Sequence, residues 1–499
     1  MKKLYKFSLI VISTLLIGCG GGSDSSTNKP VDNTPTNNTP SEENETTDDN
    51  KSVINNPPLA NQEQSSIDFK VGVDLASCQK QLALDSYIYV STRGDDSSGD
   101  GSLNNPYKTV YHAVTKAKSG ETVMIRKGTY VESNEIRIRV PNITITSYPN
   151  EWAIIDRSSS GGVDDWDSGI YLDVDSDGST IKCLEVKGGF YALSTETKWD
   201  WTDEDKMGAT HITVQNVKLH DSYADGVKIK PNCDDFNISY SEIYNSGIGQ
   251  TVGDCNAEGI DNVNADRTIA SNLYIHNTCS TGIYFKGGAT NSEIKYSLIE
   301  HTGESGILLG FDTSPEYFDK ITNPNMYEAI NCKAHHNLIK DTKWAGIGLY
   351  ASKNSEIYNN TIINSASIYY SPIYFGLSYQ DWDDKALRPA NITPSVHHNI
   401  IYQKDINNKN AIYIRHSDEL GGLNALEGKL DIDYNCYFSH NNPNNIQFED
   451  IRSEWNGDFG DWQQHIDGDF HSIVTNPKLD NENISSGECK SMGYRIKNI

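Results

Sequence analysis

The sequence predicts an all-β protein whose main body is a right-handed, single-stranded parallel β-helix over roughly residues 85 to 475. Three observations support this prediction. A glycine-centred motif returns at intervals of about two dozen residues. Short runs of β-branched residues alternate with Gly, Asn, Asp and Ser turns. The start of this body has the pattern of a strand, a loop and a short helix, which suits a cap on one end.

The glycine motif is the clearest repeat in the chain. Gly259 and Gly282 are 23 residues apart, and Gly282 and Gly306 are 24 apart. A second run of alternating apolar residues follows each motif before the next one begins. The longer steps, from Gly226 to Gly259 and from Gly306 to Gly346, contain loop-like insertions. The motifs are DGVKIKP from Asp225, EGIDNVN from Glu258, TGIYFKG from Thr281, SGILLGF from Ser305 and AGIGLYA from Ala345.

One coil of this length cannot bury its own apolar face, whereas a stack of such coils can. Inward Ile, Val and Leu side chains then form continuous columns, and Asn residues at the turns can bond to the Asn of the next coil. A propeller or a sandwich would need antiparallel hairpins with longer strands, and the turn signals here are of another kind. The pattern therefore favours a solenoid.

The segment that opens the solenoid begins at Tyr87 and reads YIYVSTRGDDSSGDGSLNNPYKTVYHAVTKAKSGETVMIRKGTYVES. It contains a strand, a Gly/Asp-rich loop, Asn-Pro-Tyr-Lys-Thr and a predicted helix from about Val110 to Lys118. This order resembles the N-terminal segment shared by many pectin-lyase-fold proteins. The resemblance implies their fold without implying a reaction. The helix would cover an end of the solenoid, where unpaired strand edges would otherwise attract other chains.

The N-terminus, MKKLYKFSLIVISTLLIGCGGGS, has a lysine-containing start and a short apolar run that ends at Cys19. These are features of a secretory signal, and Gly18 before Cys19 resembles the lipobox of bacterial lipoproteins. The resemblance implies lipid attachment at Cys19, and Gly20 in place of Asp implies export to the outer membrane. We expect an outer-membrane lipoprotein, on the cell surface or the periplasmic face, with the lipid as its only membrane contact. An ordinary cleaved signal is the alternative.

Residues 20 to 66 consist of Ser, Thr, Asn, Pro, Asp and Glu with almost no aromatics. Such a segment cannot bury enough apolar surface to offset the entropy lost on ordering, so we predict a disordered tether after the signal of residues 1 to 19. We expect residues 67 to 84 to form an N-terminal cap region, and residues 476 to 499 a C-terminal cap or tail.

A chain that begins at Ser66 should melt at the same temperature as the mature protein that begins at Cys19. The tether offers no apolar periodicity to pack, so its removal should cost no folding free energy. Thermal unfolding followed by circular dichroism compares the two chains. A large fall in the melting temperature of the shorter chain would show that the tether packs on the solenoid.

The chain is acidic, with 42 Lys and Arg against 68 Asp and Glu. Loss of the signal, which carries Lys2, Lys3 and Lys6, lowers the formal net charge from −26 to −29. Such a surface repels nucleic acid, and an acidic polysaccharide would need a bridging cation or a local basic groove. We expect no nucleic-acid partner and a monomeric protein.

Eight of the nine cysteines follow Cys19, and an exported protein meets an oxidising compartment in which disulfides form. The spacing does not determine the pairing. Cys255 with Cys279 is one option, and Cys183, inside a strand pattern, is expected to be a buried thiol.

Outward side chains are expected at the second and fourth positions after each motif glycine. In successive coils these are Lys228 and Lys230, then Asp261 and Val263, then Tyr284 and Lys286. Neighbouring coils are about 4.8 Å apart, so Lys230 and Lys286 would flank Asp261, about 10 Å from each other. A salt-bridge ladder on a solvated sheet and a catalytic cluster both fit this pattern.

Asp225 and Glu258, each directly before a motif glycine, form a third column, which consists of carboxylates. A further carboxylate, Asp266, lies at the following turn. Carboxylate oxygens bind Ca²⁺, which can neutralise a substrate carboxylate and make the adjacent ring C–H acidic. A lysine with a depressed pKa can then remove that proton. We predict metal ligands at Asp225, Glu258, Asp261 and Asp266, and substrate-binding residues at Lys228, Arg267 and Tyr284.

The stretch DGVKIK, starting at Asp225, resembles the Asp-Gly-Phe-x-x-Lys stretch of the family-nine pectate lyases. In that family the lysine is the catalytic base, and aspartates in nearby coils hold Ca²⁺. The resemblance implies that Lys230 is the base and that Asp225 is an acidic residue near it. Val227 replaces the aromatic residue, and the family's full aspartate cluster has no evident counterpart. Lys286 occupies the same column and is a rival base.

Tryptophans among carboxylates in predicted loops are candidates for stacking on sugar rings. They are Trp199 and Trp201 in KWDWTDEDK and Trp382 in YQDWDDKALRP. Exposed tryptophan beside polar groups suits this role, and packing against the sheet is the alternative.

Three functions fit these features. The preferred one is a surface-anchored lyase that cleaves an acidic polysaccharide, such as pectate or alginate, by Ca²⁺-assisted β-elimination. The second is a glycoside hydrolase with paired carboxylates, for which the candidates are Asp381, Asp383, Asp384 and Glu258. The third is a non-catalytic glycan-binding protein or adhesin. An unsaturated product would separate the first from the other two.

Overall fold

The computed structural model describes residues 71–79, 86–162, 165–198, 207–252, 255–378, 388–404, 410–443 and 446–494. The predicted signal, Cys19 and the tether lie outside these ranges. The described residues contain two α-helices, α1 (Val110–Lys116) and α2 (Phe459–Ile466), and none of their helices is long and apolar enough to cross a membrane. Short 3-10 helices lie at Leu75–Gln79, Pro315–Tyr317, Ile451–Ser453 and Glu488–Ser491.

Parallel strands make up the rest of the regular structure, and the largest set forms a 22-stranded sheet, called here the large sheet. Its strands are Tyr87–Val90, Thr122–Ile125, Gly128–Val131, Thr144–Ser147, Ala153–Arg157, Thr180–Gly188, Thr213–His220, Asn237–Ser239, Glu242–Tyr244, Ile269–Ser271, Tyr274–His276, Glu293–Lys295, Leu298–Glu300, Lys333–His335, Leu338–Lys340, Glu356–Tyr358, Thr361–Ile363, Ser395–His397, Ile400–Gln403, Asp431–Asp433, Cys436–Ser439 and Ile473–Val474.

A second sheet of twelve strands carries the glycine motifs. Its strands are Ile136–Ile138, Ile170–Leu172, Leu193–Thr195, Val227–Ile229, Ile260–Val263, Ile283–Lys286, Ile307–Leu309, Ile347–Tyr350, Ile373–Gly376, Ile412–Ile414, Gln447–Asp450 and Trp455–Asp458. A five-stranded sheet comprises Ala289–Thr290, Ala329–Ile330, Ser352–Lys353, Asn391–Ile392 and Leu426–Glu427. A two-stranded antiparallel pair joins His416–Ser417 to Leu423–Asn424.

Apart from the antiparallel pair just described and the last two strands of the twelve-stranded sheet, which are also antiparallel, the strands pair in parallel with those of neighbouring coils. Ile283, for example, lies opposite Ile260 on one side and Ile307 on the other, and Ile307 lies opposite Ile347. All four side chains are fully buried, so they form one of the inward apolar columns that the repeat predicts. The chain is therefore a parallel β-helix, which confirms the predicted architecture.

Asparagines at one turn form a buried ladder. Asn337 donates through Nδ2 to Oδ1 of Asn360 at 3.1 Å, and Asn360 donates in the same way to Asn399 at 3.0 Å. Asn399 continues the ladder to Asn435 at 3.1 Å, and each of these oxygens also accepts the backbone N–H of the preceding asparagine. The predicted bonding between asparagines of successive coils is confirmed.

Replacing Asn360 by alanine should destabilise the protein by about 2–4 kcal/mol. The change leaves the N–H of Asn337, the carbonyl of Ala334 and Oδ1 of Asn399 with one bond fewer inside the solenoid, and a buried polar group without its partner costs about 1–3 kcal/mol. Asn354→Ala is the matched control, because Asn354 bonds to its neighbours at an exposed turn. Urea denaturation measures both, and equal losses would contradict the prediction.

Both ends of the solenoid are covered. Helix α1 buries Val110, Ala113 and Val114, as the predicted cap requires, and it ends at Lys116 because the backbone of Ala117 is extended. At the other end, Trp462 of α2 is fully buried and stacks on Phe448 of the twelve-stranded sheet, with ring centroids 5.1 Å apart. The helix packs against the strands Tyr87–Val90, Thr122–Ile125 and Ile136–Ile138, which fits the capping role.

Two terminal segments run back over the large sheet. The N-terminal strap (residues 71–79) is joined to the large sheet by the disulfide Cys78–Cys183, and its Gly72 N–H donates to the carbonyl of Asn272 at 3.0 Å. The C-terminal strap (residues 489–494) begins at the disulfide Cys436–Cys489. Both straps lie on the large sheet, where Tyr494 is part of an apolar cluster with Leu338 and Ile363 and Val71 packs against this cluster.

The disulfides correct one expectation and confirm another. Cys255 pairs with Cys279, as the sequence suggested. Cys183 is bonded to Cys78 and is not a thiol, because the partner comes from a segment outside the repeat that no spacing rule connects to it. Among the described residues, the buried thiols are Cys233 and Cys332.

Candidate functional site

A cluster of charged side chains covers the outward face of three successive strands of the twelve-stranded sheet. The strand register places Lys228 beside Asp261 and Asp261 beside Tyr284. In the neighbouring column, Val263 lies beside Lys286. This order is the one that the sequence predicts for the outward columns, so the predicted register is confirmed.

Glycines form the corner from which these strands start. A Cβ atom at Gly259 would lie 2.5 Å from the carbonyl oxygen of Gly282, so the coils approach too closely for any side chain. The tight corner brings together the residues that precede the glycines. The N–H of Glu258 donates to Oδ1 of Asp225 at 3.0 Å, and both carboxyl groups are buried.

Asp261 is the centre of the cluster and is 1 % exposed. The ammonium group of Lys228 contacts its Oδ2, and Nζ of Lys286 lies 3.3 Å from its Oδ1. Nζ of Lys228 also lies 3.5 Å from Oδ2 of Asp225, and Nζ of Lys286 lies 4.5 Å from the centre of the Tyr284 ring. Both ammonium groups are therefore shared between buried carboxylates and aromatic faces, where ionic contacts are weakly screened.

Glu258 has the most strongly perturbed carboxyl group of the cluster. Burial raises its pKa well above the ordinary value, and the charges of Asp225 and Asp261 raise it further. Its Oε1 accepts a hydrogen bond from the hydroxyl of Ser280 at 2.9 Å, whereas its Oε2 is buried with no hydrogen-bond partner. The surroundings therefore oppose the ionisation of Glu258, and one of its oxygens is left for a further group.

Asp261 and Lys286 stabilise each other's charged forms. Burial opposes the charge of Asp261, but Lys228 and Lys286 outweigh burial, so the pKa of Asp261 is below its ordinary value. Burial would lower the pKa of Lys286, but Asp261 and Glu258 outweigh it, so this pKa is raised. The expectation of a depressed lysine pKa is wrong for Lys286 in this structure, because carboxylates face it from the adjoining column.

Lys230 contacts a different carboxylate. Its Nζ lies 3.2 Å from Oε2 of Glu196 and 3.5 Å from the hydroxyl of Tyr171. The expectation that Lys230 and Lys286 flank Asp261 is therefore corrected. Lys228 takes that place because it is the register partner of Asp261, whereas Lys230 extends towards earlier coils.

Tyr284 does not face solvent, which corrects a second expectation. It is 2 % exposed, packs with Leu308 and stacks on Phe311 with ring centroids 5.2 Å apart. The sequence pattern treats the outward face of the sheet as open. The insertion that follows the strand Ile307–Leu309 instead brings Phe311 over it. Tyr284 is therefore placed to contact Lys286 and not to meet a ligand directly.

Three carboxyl groups are arranged so that one cation can be shared among them. Asp225, Glu258 and Asp261 each offer an oxygen, and these atoms all lie within 4.8 Å of one another. Ca²⁺ binds oxygens at about 2.3–2.6 Å, so ligands on opposite sides of the ion are roughly 5 Å apart. The free Oε2 of Glu258 also suits such a role. The donor set fits Ca²⁺, which would compete with Lys228 and Lys286 for the same oxygens.

The other predicted site residues lie apart from this cluster. Asp266 accepts the N–H of Thr290 at 2.8 Å at the turn, and burial raises its pKa. Arg267 is half-exposed and is paired with Asp235 at 2.7 Å and with Asp234 at 3.1 Å. The predicted stacking residues lie outside the described residues, as do three of the hydrolase candidates: Trp199, Trp201, Trp382, Asp381, Asp383 and Asp384.

Sequence reasoning missed Tyr171 and Glu196, which complete the surroundings of Lys230. The signal for Tyr171 is present in the chain, because SGIYLDV from Ser168 repeats the pattern of Gly282-Ile283-Tyr284. Glu196 has no such signal, since alanine stands where the motif glycine would be in YALSTET. Its position follows only from the strand pairing, which places Leu193 beside Val227.

Two protein-family models match the chain. Residues 88–260 match a family described as Pel9A-like, right handed beta helix region, and residues 206–383 match a family described as right handed beta helix region. Together the matches run from the first strand through the charged cluster. They agree with the strand pairing, so the chain is a right-handed parallel β-helix.

Similar individual proteins are distant. YwoF, an uncharacterized protein of Bacillus subtilis (strain 168), is 23% identical over 362 residues, which are 64% of this chain and 69% of that protein. The structure of pectate lyase Pel9A matches with a TM-score of 0.46 and 15% identity, over 64% of this chain and 76% of that one. An alginate lyase from Paenibacillus sp. str. FPU-7 matches with a TM-score of 0.40 and 16% identity, over 64% of this chain and 93% of that one.

Proposed function

We propose that this protein is a Ca²⁺-assisted polysaccharide lyase that cleaves an acidic polysaccharide, such as pectate or alginate, by β-elimination. A lipid on Cys19 would hold it at the outer membrane. The observation that carries the proposal is the buried cluster in which Lys228 and Lys286 share Asp261, beside two further carboxyl groups. The match of residues 88–260 to a Pel9A-like family region supports the same reading.

β-Elimination in a uronate chain needs a base and a means of offsetting negative charge. The base removes the proton on the ring carbon next to the carboxylate, and the electron pair of the broken C–H bond forms the ring double bond. The bond to the glycosidic oxygen breaks, and that oxygen leaves with its electrons and takes up a proton. The charge that develops on the carboxylate must be stabilised by cationic groups in a site with little water.

The cluster offers both functions. Ca²⁺ held by Asp225, Glu258 and Asp261 would supply the positive charge that neutralises the substrate carboxylate. Lys286, whose Nζ lies 3.3 Å from Oδ1 of Asp261, is the candidate proton acceptor within the cluster. The charges of Asp261 and Glu258 raise the pKa of Lys286, whereas burial lowers it. If a bound cation neutralised those two carboxyl groups, the effect of burial would prevail and the neutral amine of Lys286 would be favoured. Lys230, whose partner is Glu196, remains the base that the sequence resemblance favours.

One observation favours a second candidate, a glycoside hydrolase. The pKa of Glu258 is raised and that of Asp261 is lowered, and paired carboxyl groups with opposite shifts are what acid and base roles in glycoside hydrolysis require. The two lysines on Asp261 count against this role, because they occupy the oxygens that a nucleophile or base would need.

Incubation with pectate, alginate and glycosaminoglycans tests the proposal. A lyase should produce ultraviolet absorbance from the unsaturated chain end, and a chelator should remove it. A hydrolase would release reducing ends without this absorbance, and a binding protein would retain glycan without either product. Absence of unsaturated product from every uronate polymer, with Ca²⁺ present, would refute the lyase.

A further inference from the structure

The outward face of the twelve-stranded sheet continues beyond Lys286 as a layer of aromatic side chains. Tyr350 and Tyr374 are buried in it, and ring contacts link them to their neighbours at centroid distances of 4.2 to 5.7 Å. This layer is called here the aromatic platform. Its members are Tyr284, Phe311, Trp344, Tyr350, Tyr370, Tyr374 and Tyr413.

Glycines make room for these rings. A Cβ atom at Gly376 would lie 2.1 Å from the ring of Tyr350, and one at Gly348 would lie 2.5 Å from the side chain of Leu308. Glycine therefore stands at these two outward positions, because the side chains of Tyr350 and Leu308 already occupy the space that a larger residue would need. The platform is thus a continuous packed surface on the sheet and not a set of separate exposed rings.

Part of the platform reaches the surface. Tyr370 is half-buried and stacks on the buried Tyr374, with ring centroids 4.2 Å apart and planes 22° apart. Tyr413 is also half-buried and lies 5.5 Å from Tyr374. Stacking on a buried ring holds Tyr370 in a fixed orientation, which is how aromatic faces are presented to ligands at low entropic cost.

A cation lies beside these rings. Arg415 directly follows the strand Ile412–Ile414 and is half-buried, and its backbone N–H donates to the carbonyl of Phe375, next to Tyr374, at 3.1 Å. The guanidinium group interacts with the buried hydroxyl of Tyr374. Arginine binds carboxylates through two parallel N–H bonds. Arg415 therefore suits an anionic ligand.

The strand register gives the distance between the platform and the charged cluster. Lys286 and Arg415 belong to the same outward column, through Gly310, Tyr350 and Gly376. Four coil intervals separate them, which at about 4.8 Å each is roughly 19 Å along the sheet. An extended sugar chain of several units can span this distance.

We propose that the aromatic platform and Arg415 form a second contact region for the acidic polysaccharide, in which Tyr370 and Tyr413 pack on sugar rings and Arg415 binds a uronate carboxylate. This inference rests on the proposed function for the class of ligand. It adds that the protein recognises a long stretch of chain along the sheet axis. A site with aromatic walls and one placed cation is typical of ligand-binding surfaces.

Calorimetric titration in excess chelator, which suppresses Ca²⁺-assisted turnover, tests this region separately from the reaction. The probes are long and short oligomers of galacturonate, mannuronate and guluronate, with a neutral xylose oligomer for comparison. Arg415→Ala and Tyr370→Ala should each weaken binding of the preferred long uronate oligomer by about tenfold or more, since each removes a contact to a charged or apolar group of the ligand. Short oligomers should bind more weakly than long ones to the unmodified protein.

Tyr434→Ala is the matched control, because Tyr434 is 42 % exposed on another face of the solenoid, and it should bind as the unmodified protein does. Melting temperatures of all variants show whether folding is kept. Unchanged affinity in both Arg415→Ala and Tyr370→Ala would overturn the proposal, and so would equal affinity for the neutral oligomer. A protein that binds uronates in this way without producing unsaturated ends would refute the lyase and leave the contact region standing.

Discussion

Replacing Lys286 by alanine should lower the rate of unsaturated-product formation by about a hundredfold or more, as expected when a general base is lost. Of the two candidate bases, Lys286 is the one that contacts a carboxyl group of the set that would hold Ca²⁺, with its Nζ 3.3 Å from Oδ1 of Asp261. The fold should survive, because Asp261 keeps Lys228 as its partner. Initial rates on pectate or alginate at saturating Ca²⁺ measure the effect, and urea denaturation shows whether stability is retained.

Lys230→Ala decides between the two candidate bases. If Lys230 is the base, Lys230→Ala should show the same hundredfold loss of rate, and Lys286→Ala should mainly weaken the affinity for substrate. Lys218→Ala is the control, because Lys218 forms an ion pair with Glu242 on the large sheet, 2.8 Å away and outside the cluster. Full activity in both Lys286→Ala and Lys230→Ala would refute the assignment of either lysine as the base. A modest loss of stability with no loss of activity would show that the cluster is only structural.

Replacing Ile283 by aspartate should unfold the protein. Ile283 is fully buried in an inward column, where an unpaired carboxylate costs several kcal/mol. A net stability of about 5–15 kcal/mol for a whole domain leaves little margin for such a change in a stack whose coils support each other. Far-ultraviolet circular dichroism and the yield of soluble protein measure the outcome.

Tyr284→Asp, one residue further on, should destabilise the protein without unfolding it. The change removes a buried aromatic ring, which costs about 3–5 kcal/mol, but it places the new carboxylate within reach of Lys286. Tyr434→Asp, at an exposed position, should change stability little. A normal melting temperature for Ile283→Asp would mean that the strand register is shifted by one residue, because such a shift exchanges the two faces.

The sequence was sufficient for the features that repeat. The inward column through Ile260, Ile283 and Ile307 and the asparagine ladder follow from local patterns that recur along the coils. The capping helix at Val110 follows from the pattern of the segment that opens the solenoid. Parallel stacking then determines which residues become neighbours, and for this reason Asp261 and Lys286 are predicted to lie close together.

Contacts made by segments outside the repeat could not be foreseen. Phe311, from an insertion, covers Tyr284 and turns an outward residue into a buried one. Cys78, from the N-terminal strap, converts the expected Cys183 thiol into a disulfide. Lys228 lies beside Asp261 because both stand two positions after the motif glycine, whereas the partner of Lys230 is Glu196, which no motif marks.

The attachment of the N-terminal strap to the large sheet has a mechanical consequence. Whatever precedes Val71 is joined to the flank of the rod, near Leu338 and Ile363, and not to either tip. A force applied through the N-terminus therefore acts across the coils and reaches the strand of Cys183 through a covalent bond. We expect an anchored molecule to lie lengthwise on its support and to resist being unwound from one end. Pulling single molecules from the N-terminus should show a lower rupture force after Cys78→Ser, and an unchanged force would show that the strap bears no load.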